Sequence, residues 1–231
     1  QTGSNKLNGN GVYQIISNPA GIFAQAQFSV PVAYIGTKYY LTLQEAVNVD
    51  NSDIYLVDDV KLTKAVVVEG KTATLNLNGN FIKPIDNNVT MTGGLIRLLG
   101  GANLTINGEG EITSNGNHNV YAAVSVLGND AHLTVNGGKL TGYYYGIAGN
   151  GNVALTTVTI NGGEIASVDA NDAAGIYHPQ AGTLTVNGGY IPGATGIYFK
   201  GGKLDIQGGT IKGTRTPAED YEYNGSGFIA T

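Results

Sequence analysis

The chain contains no cysteine among its 231 residues. That absence excludes disulfides, zinc–thiolate centres and thiol nucleophiles. Charge is scarce too, at 13% of residues, with a formal net charge of −5 and a pI near 5.1. The 12 basic residues are scattered, so no Lys/Arg stripe offers the footprint that nucleic acid requires. No apolar run is long enough to span a bilayer, and no basic start followed by an apolar stretch marks a secretory signal.

Glycine is abundant, with 36 copies, and 42% of residues are hydrophobic. The first figure fits a repetitive all-β protein with many tight turns. The second supplies enough apolar surface to offset the ordering entropy of the chain.

A repeat decides the fold. It reads Leu75-Asn76-Leu77-Asn78-Gly79, Leu104-Thr105-Ile106-Asn107-Gly108 and Leu133-Thr134-Val135-Asn136-Gly137. It continues as Val158-Thr159-Ile160-Asn161-Gly162, Leu184-Thr185-Val186-Asn187-Gly188 and Leu204-Asp205-Ile206-Gln207-Gly208. From each Asn or Gln to the next the spacing is 29, 29, 25, 26 and 20 residues. Repeats of this length mean a solenoid. Each copy is a strand with its apolar pair inward and its middle residue outward, followed by a turn at Asn-Gly, where both residues tolerate positive φ. A second strand carries Ile82, Ile112, Leu140, Ile165, Ile191 and Ile211. A third carries Gly146-Ile147, Gly175-Ile176 and Gly196-Ile197, ending at Gly227-Phe228.

These features predict an all-β right-handed parallel β-helix with three strands per coil. Stacking would place Leu75, Leu104 and Leu133 in one interior ladder, and Asn78, Asn107, Asn136, Asn161 and Asn187 in a polar ladder at one corner. The outward column would read Asn76, Thr105, Thr134, Thr159, Thr185, Asp205. It suits an exposed β face, and an ice-binding face has thin support from one threonine column broken at both ends.

Open solenoid ends need caps. Residues 33–52 read as one: a hairpin over Ala33 to Tyr40 turning at Gly36-Thr37, then a capping box, Thr42-Leu43-Gln44-Glu45, opening a short helix with Leu43, Ala46 and Val47 on one face. Residues 53–231 form the solenoid, whose last coil is expected to be open or truncated. Residues 1–32 are an extension in which the alternating stretch from Ile22 to Val30 reads as a strand that self-associates, pairs with a neighbouring subunit or packs along the helix.

The run Ala33-Tyr34-Ile35-Gly36, Tyr40-Leu41-Thr42-Leu43-Gln44-Glu45-Ala46-Val47, Asp53-Ile54-Tyr55-Leu56 and Leu75-Asn76-Leu77-Asn78-Gly79 resembles the start of pectate-lyase-like β-helix modules of bacterial and phage surface proteins. That resemblance implies an extracellular location, on a cell or virion surface, and carbohydrate contact, without catalysis in every member. Lyase chemistry of this kind implies acidic calcium ligands and an arginine base. The only arginines are Arg97 and Arg215, several coils apart.

The corner between second and third strands offers a better candidate site. Its loops alternate long and short, so walls holding His118, Asp169, Asp172, Asp220 and Glu222 flank a floor of Tyr143, Tyr144 and Tyr145. Tyr177, His178 and Tyr198 follow on the third strand. Rings stack on the apolar face of a pyranose while carboxylates accept from hydroxyls. A glycan or surface polymer is therefore the expected partner, through Tyr143, Tyr144, Tyr145, Asp169, Asp172, Tyr177, His178 and Tyr198. Asp169 or Asp172 facing a neighbouring loop at about 10 Å would lie near the upper limit of an inverting glycosidase pair, roughly 6.5–9.5 Å.

No catalytic residue, metal site or cofactor is otherwise indicated. Calcium would find only Asp169-Ala170-Asn171-Asp172, which lacks the glycine and distal glutamate of an EF-hand loop. The expected function is a non-catalytic binding or structural module. The alternatives are a phage decoration or fibre protein assembled through its N-terminal arm, and a polysaccharide lyase or glycoside hydrolase.

Overall fold

In the computed structural model, residues 12–14, 27–169, 173–215 and 227–230 are described. The chain is a parallel β-helix with three strands per coil. The first sheet is built from Ser52–Leu56, Thr72–Asn76, Asn103–Asn107, His132–Val135, Ala154–Ile160, Ala181–Val186 and Lys203–Ile206, joined at its N-terminal edge by a hairpin. The second runs from Val60–Leu62 to Thr210–Gly213, and the third from Val66–Val68 to Phe228–Ala230, each of seven parallel strands.

Inward columns fill the lumen as one continuous core. Val60, Ile82, Ile112, Leu140 and Ile165 line the second sheet. Val66, Ile96, Val124, Ile147, Ile176 and Ile197 line the third. Each of these is at most 3% exposed, and each fully buried side chain contributes about 1.5–3 kcal/mol.

The register of the first sheet differs from the sequence alignment at its first repeat. Leu104 pairs with Ala73, Ile106 with Leu75 and Asn107 with Asn76. The first copy is therefore Ala73-Thr74-Leu75-Asn76, two residues earlier than the Asn78-Gly79 dipeptide suggests. A slip of two keeps every side chain on its face, so hydrophobic alternation cannot detect it. The surplus goes into the corner, which holds residues 77–80 in this coil, 108–110 in the next and 137–138 in the one after. Leu77 is buried there, over glycines: a Cβ on Gly110 would stand 2.8 Å from Leu77 Cβ, and one on Gly138 2.7 Å from Leu77 Cδ1.

The asparagine ladder accordingly starts at Asn76. Asn107 Nδ2 donates to Asn76 Oδ1 at 3.3 Å, Asn136 to Asn107 at 2.8 Å, Asn161 to Asn136 at 2.7 Å and Asn187 to Asn161 at 2.7 Å. Asn76 Nδ2 ends the series on the Ile54 carbonyl at 3.1 Å. Asn78 stands outside it, with φ 52° and its amide on the Leu56 carbonyl.

The hairpin of Ala33–Ile35 and Lys38–Tyr40 turns at Gly36, φ 57°, and pairs antiparallel with the first strand, Ala33 opposite Leu56. Helix α1, Leu43–Val47, follows. Thr42 Oγ1 accepts from Glu45 N–H, Glu45 Oε2 accepts from Thr42 N–H, and Leu43, Ala46 and Val47 are buried. Gln44 reaches the third sheet, where its amide donates to the Val67 carbonyl and accepts from Val67 N–H. Asp59 accepts from Phe81 N–H at 2.9 Å and Asp50 from Thr72 N–H at 2.8 Å. The hydrogen bond from Thr72 holds the Asp50 carboxyl below its usual range.

Two strands of the N-terminal extension, Val12–Gln14 and Gln27–Ser29, pair antiparallel as a small sheet of their own.

Candidate functional site

The corner between the second and third sheets is too tight for a side chain. A Cβ on Gly146 would stand 2.7 Å from Ile165 Cγ2 and 2.9 Å from Ala166 N. At Gly175 and Gly196 the equivalent neighbours, Ile191 Cγ2 and Ile211 Cγ2, stand at 2.7 and 2.5 Å. The Gly-Ile pair thus lets the chain bend against the core, with isoleucine filling it. Tyr145 immediately precedes this bend in one coil, and Tyr177 and Tyr198 face outward further along the strand in the next two, paired with each other.

The rings form a continuous strip. Tyr145 stacks on Tyr177 with centroids 5.1 Å apart and planes at 24°, and Tyr177 lies 5.5 Å from Tyr198. On the other side Tyr121 meets Tyr145 edge-on at 5.1 Å and Tyr144 at 5.7 Å. Tyr144 meets Tyr143 at 4.9 Å, and His118 lies 6.1 Å beyond. Lys200 Nζ is 5.6 Å from the Tyr198 ring, at the far end. The strip therefore crosses four successive coils, and every tyrosine in it keeps a solvent-facing part.

Backbone bonds hold the floor on both sides. Tyr144 N–H and Tyr145 N–H donate to the Tyr121 carbonyl at 3.1 and 3.3 Å. The Tyr143 carbonyl accepts from Val168 and Asp169 N–H at 3.1 and 2.9 Å. Asp169 is thereby brought beside Tyr143. Burial raises the Tyr121 phenol above its usual value; a side-chain hydrogen bond with Tyr145 works against this, while Tyr177 and Tyr144 add to it.

Of the residues singled out from sequence, Tyr143, Tyr144, Tyr145, Tyr177 and Tyr198 come together, with Asp169 at the edge. His178 does not. It is 1% exposed, aligned with Phe199 and stacked on it at 5.3 Å and 12°, inside the lumen. Its Nδ1 donates to the Gly201 carbonyl at 3.2 Å, leaving Nε2 as an unpartnered acceptor. Period-two alternation from Ile176 carries the signal, since both face inward. Asp172, Asp220 and Glu222 lie outside the described residues. Tyr121, which closes the long loop before the third strand, is the ring that sequence reasoning left out of the site.

Among the described residues no group of three His, Asp or Glu side chains could hold a metal. Arg97 lies in the second strand of the third sheet, whereas Arg215 follows the last strand of the second. No protein-family model, curated protein or solved structure matches this chain.

Proposed function

We propose that this chain is a non-catalytic binding module of the pectate-lyase-like kind, displayed on a cell or virion surface, and that it holds a glycan along its tyrosine strip. The observation that carries the reading is the unbroken ring contact from Tyr143 to Tyr198 across four coils. Aromatic faces offer a pyranose large apolar area at small entropic cost, and phenol hydroxyls with the Asp169 carboxylate supply polar partners. The strip follows the solenoid axis at the spacing of the coils, about 4.8 Å per step. A chain of sugar units lying along that axis meets one ring after another, as a single sugar does not.

Among the described residues no group of three His, Asp or Glu side chains is gathered beside Arg97 or Arg215 to hold calcium, which weighs against lyase chemistry. The proposal is tested by affinity against ligand length. Oligosaccharides of increasing length should bind progressively better until the strip is filled, with no reducing ends released. Equal affinity for a monosaccharide and a long oligosaccharide would remove the axial strip as the site.

A further inference from the structure

The outward face of the first sheet carries a second surface, independent of the tyrosines. Its central column is Thr74, Thr105, Thr134, Thr159 and Thr185, paired rung by rung without interruption. The two-residue slip in the first coil makes this column continuous. On one side runs the asparagine ladder, whose amides are bonded to one another along the axis at 2.7–3.3 Å. On the other stand Thr72, Thr157 and Thr183, with Asn103 and His132 between them. The sole register shift of the neighbouring strands, between Ala154 and Thr156, falls outside these positions.

The result is three columns of five rungs containing no Asp, Glu, Lys or Arg. Along the axis charges resume at Asp53 before it and at Lys203 and Asp205 after it, and at the edge where the strands begin Asp50 bonds Thr72 N–H and Asp130 flanks His132. The second sheet is the opposite, with Lys83, Glu111, Lys139 and Glu164 facing outward and Lys139 paired to Glu164 at 3.3 Å. His132 is the exception on the threonine face, bound to Thr157 Oγ1 at 2.8 Å and Asp130 at 3.1 Å.

We infer that this face binds the surface of ice. Hydroxyls and amides repeat about every 4.8 Å along the axis and about every 6.6 Å along each strand. Threonine methyls sit beside them in rows of the same period. Each group holds one water through an ordinary hydrogen bond, worth little alone. A two-dimensional array adds up only against a partner that repeats in two dimensions. A single polymer chain repeats in one. The face has no Phe, Tyr or Trp on these rungs to stack on a pyranose, and its one ring, His132, is bonded to Thr157 and Asp130, which leaves solid water rather than a crystalline polysaccharide. Freedom from charge matters as well, because ionic side chains would bind their own hydration shells in competition.

The experiment measures the gap between melting and freezing temperatures, and the shape of crystals grown in the protein. Wild type should open a gap and facet the crystals. Thr134→Lys with Thr159→Lys should lose most of the gap while circular dichroism stays unchanged, and Thr134→Val with Thr159→Val should lose part. Tyr145→Ala with Tyr177→Ala should keep all of it. Freezing indistinguishable from that of an inert protein at equal concentration would overturn the inference, as would a lysine variant of full activity. Sedimentation with crystalline cellulose that the lysine pair abolishes would overturn it in favour of a solid polysaccharide.

Discussion

The side chain of Gln44 completes the β-pairing of Val67, donating to its carbonyl and accepting from its N–H, both at 2.8 Å. A primary amide thus takes the place of the peptide group that another strand would have offered to the first strand of the third sheet. Each orphaned backbone group costs about 1–3 kcal/mol when buried. Gln44→Met keeps the length and loses both bonds. It should lower unfolding free energy by about 1–3 kcal/mol in urea titration, and Asn48, one turn along the same face, loses the bond it accepts from Gln44 at 3.0 Å as well.

The shifted register has its own test. Asn76→Ala removes a ladder acceptor and should cost about 0.5–1.5 kcal/mol. Asn78→Gly should cost less, because glycine accepts its φ of 52° without strain and only the bond to the Leu56 carbonyl is lost, whereas Asn76→Ala loses its bond to the Ile54 carbonyl and the ladder bond from Asn107. If Asn78 were the costly position in thermal denaturation, the ladder would begin there.

Gly146→Ala places a methyl 2.7 Å from Ile165 Cγ2 and 2.9 Å from backbone atoms of Ala166. Overpacking of that kind costs about 1–3 kcal/mol, and Tyr145, one residue before, should shift with it. Loss of both stability and glycan binding is the expected outcome, measured by denaturation and by calorimetric titration of an oligosaccharide.

Burial holds the His178 imidazole below its usual value, against the hydrogen bond from its ring to the Gly201 carbonyl. The unfolded chain therefore takes up a proton first, at about pH 6.5. Folded stability is complete above that pH and falls below it, until the lowered folded value is reached. In His178→Phe, whose ring continues the stack on Phe199, this part of the pH dependence should vanish. Urea midpoints at pH 8 and pH 5 read the difference, and parallel losses in both proteins would sink the assignment.

Much of the architecture was legible because it rests on two strong signals, period-two alternation and a recurring turn. The ladders of Ile82, Ile112 and Leu140 and of Ile147, Ile176 and Ile197 follow from those alone. Register in the first coil did not, because Asn78-Gly79 imitates the later turns while Ala73 stands where later coils have leucine or valine. Turn chemistry misled in a second way. In Asn136-Gly137-Gly138 the positive φ belongs to Gly138, which leaves the asparagine free to join the ladder. The tyrosine corner was visible as composition and loop length. His178 was drawn into it by proximity in sequence, although its separation by two from Ile176 sends it inward.

The central claim is that the tyrosine strip holds a glycan and does not cleave it. The most direct measurement exposes wild type and a Tyr145→Ala/Tyr177→Ala variant to a glycan array, with a reducing-end assay on each polysaccharide bound. The chain has no tryptophan and 14 tyrosines, six of them in the strip, so the part of ligand-induced tyrosine quenching that is lost in the variant reports the strip. Binding by wild type, its loss in the variant and no new reducing ends are the predicted results. Equal binding by the variant, or release of reducing ends by wild type, would contradict the account.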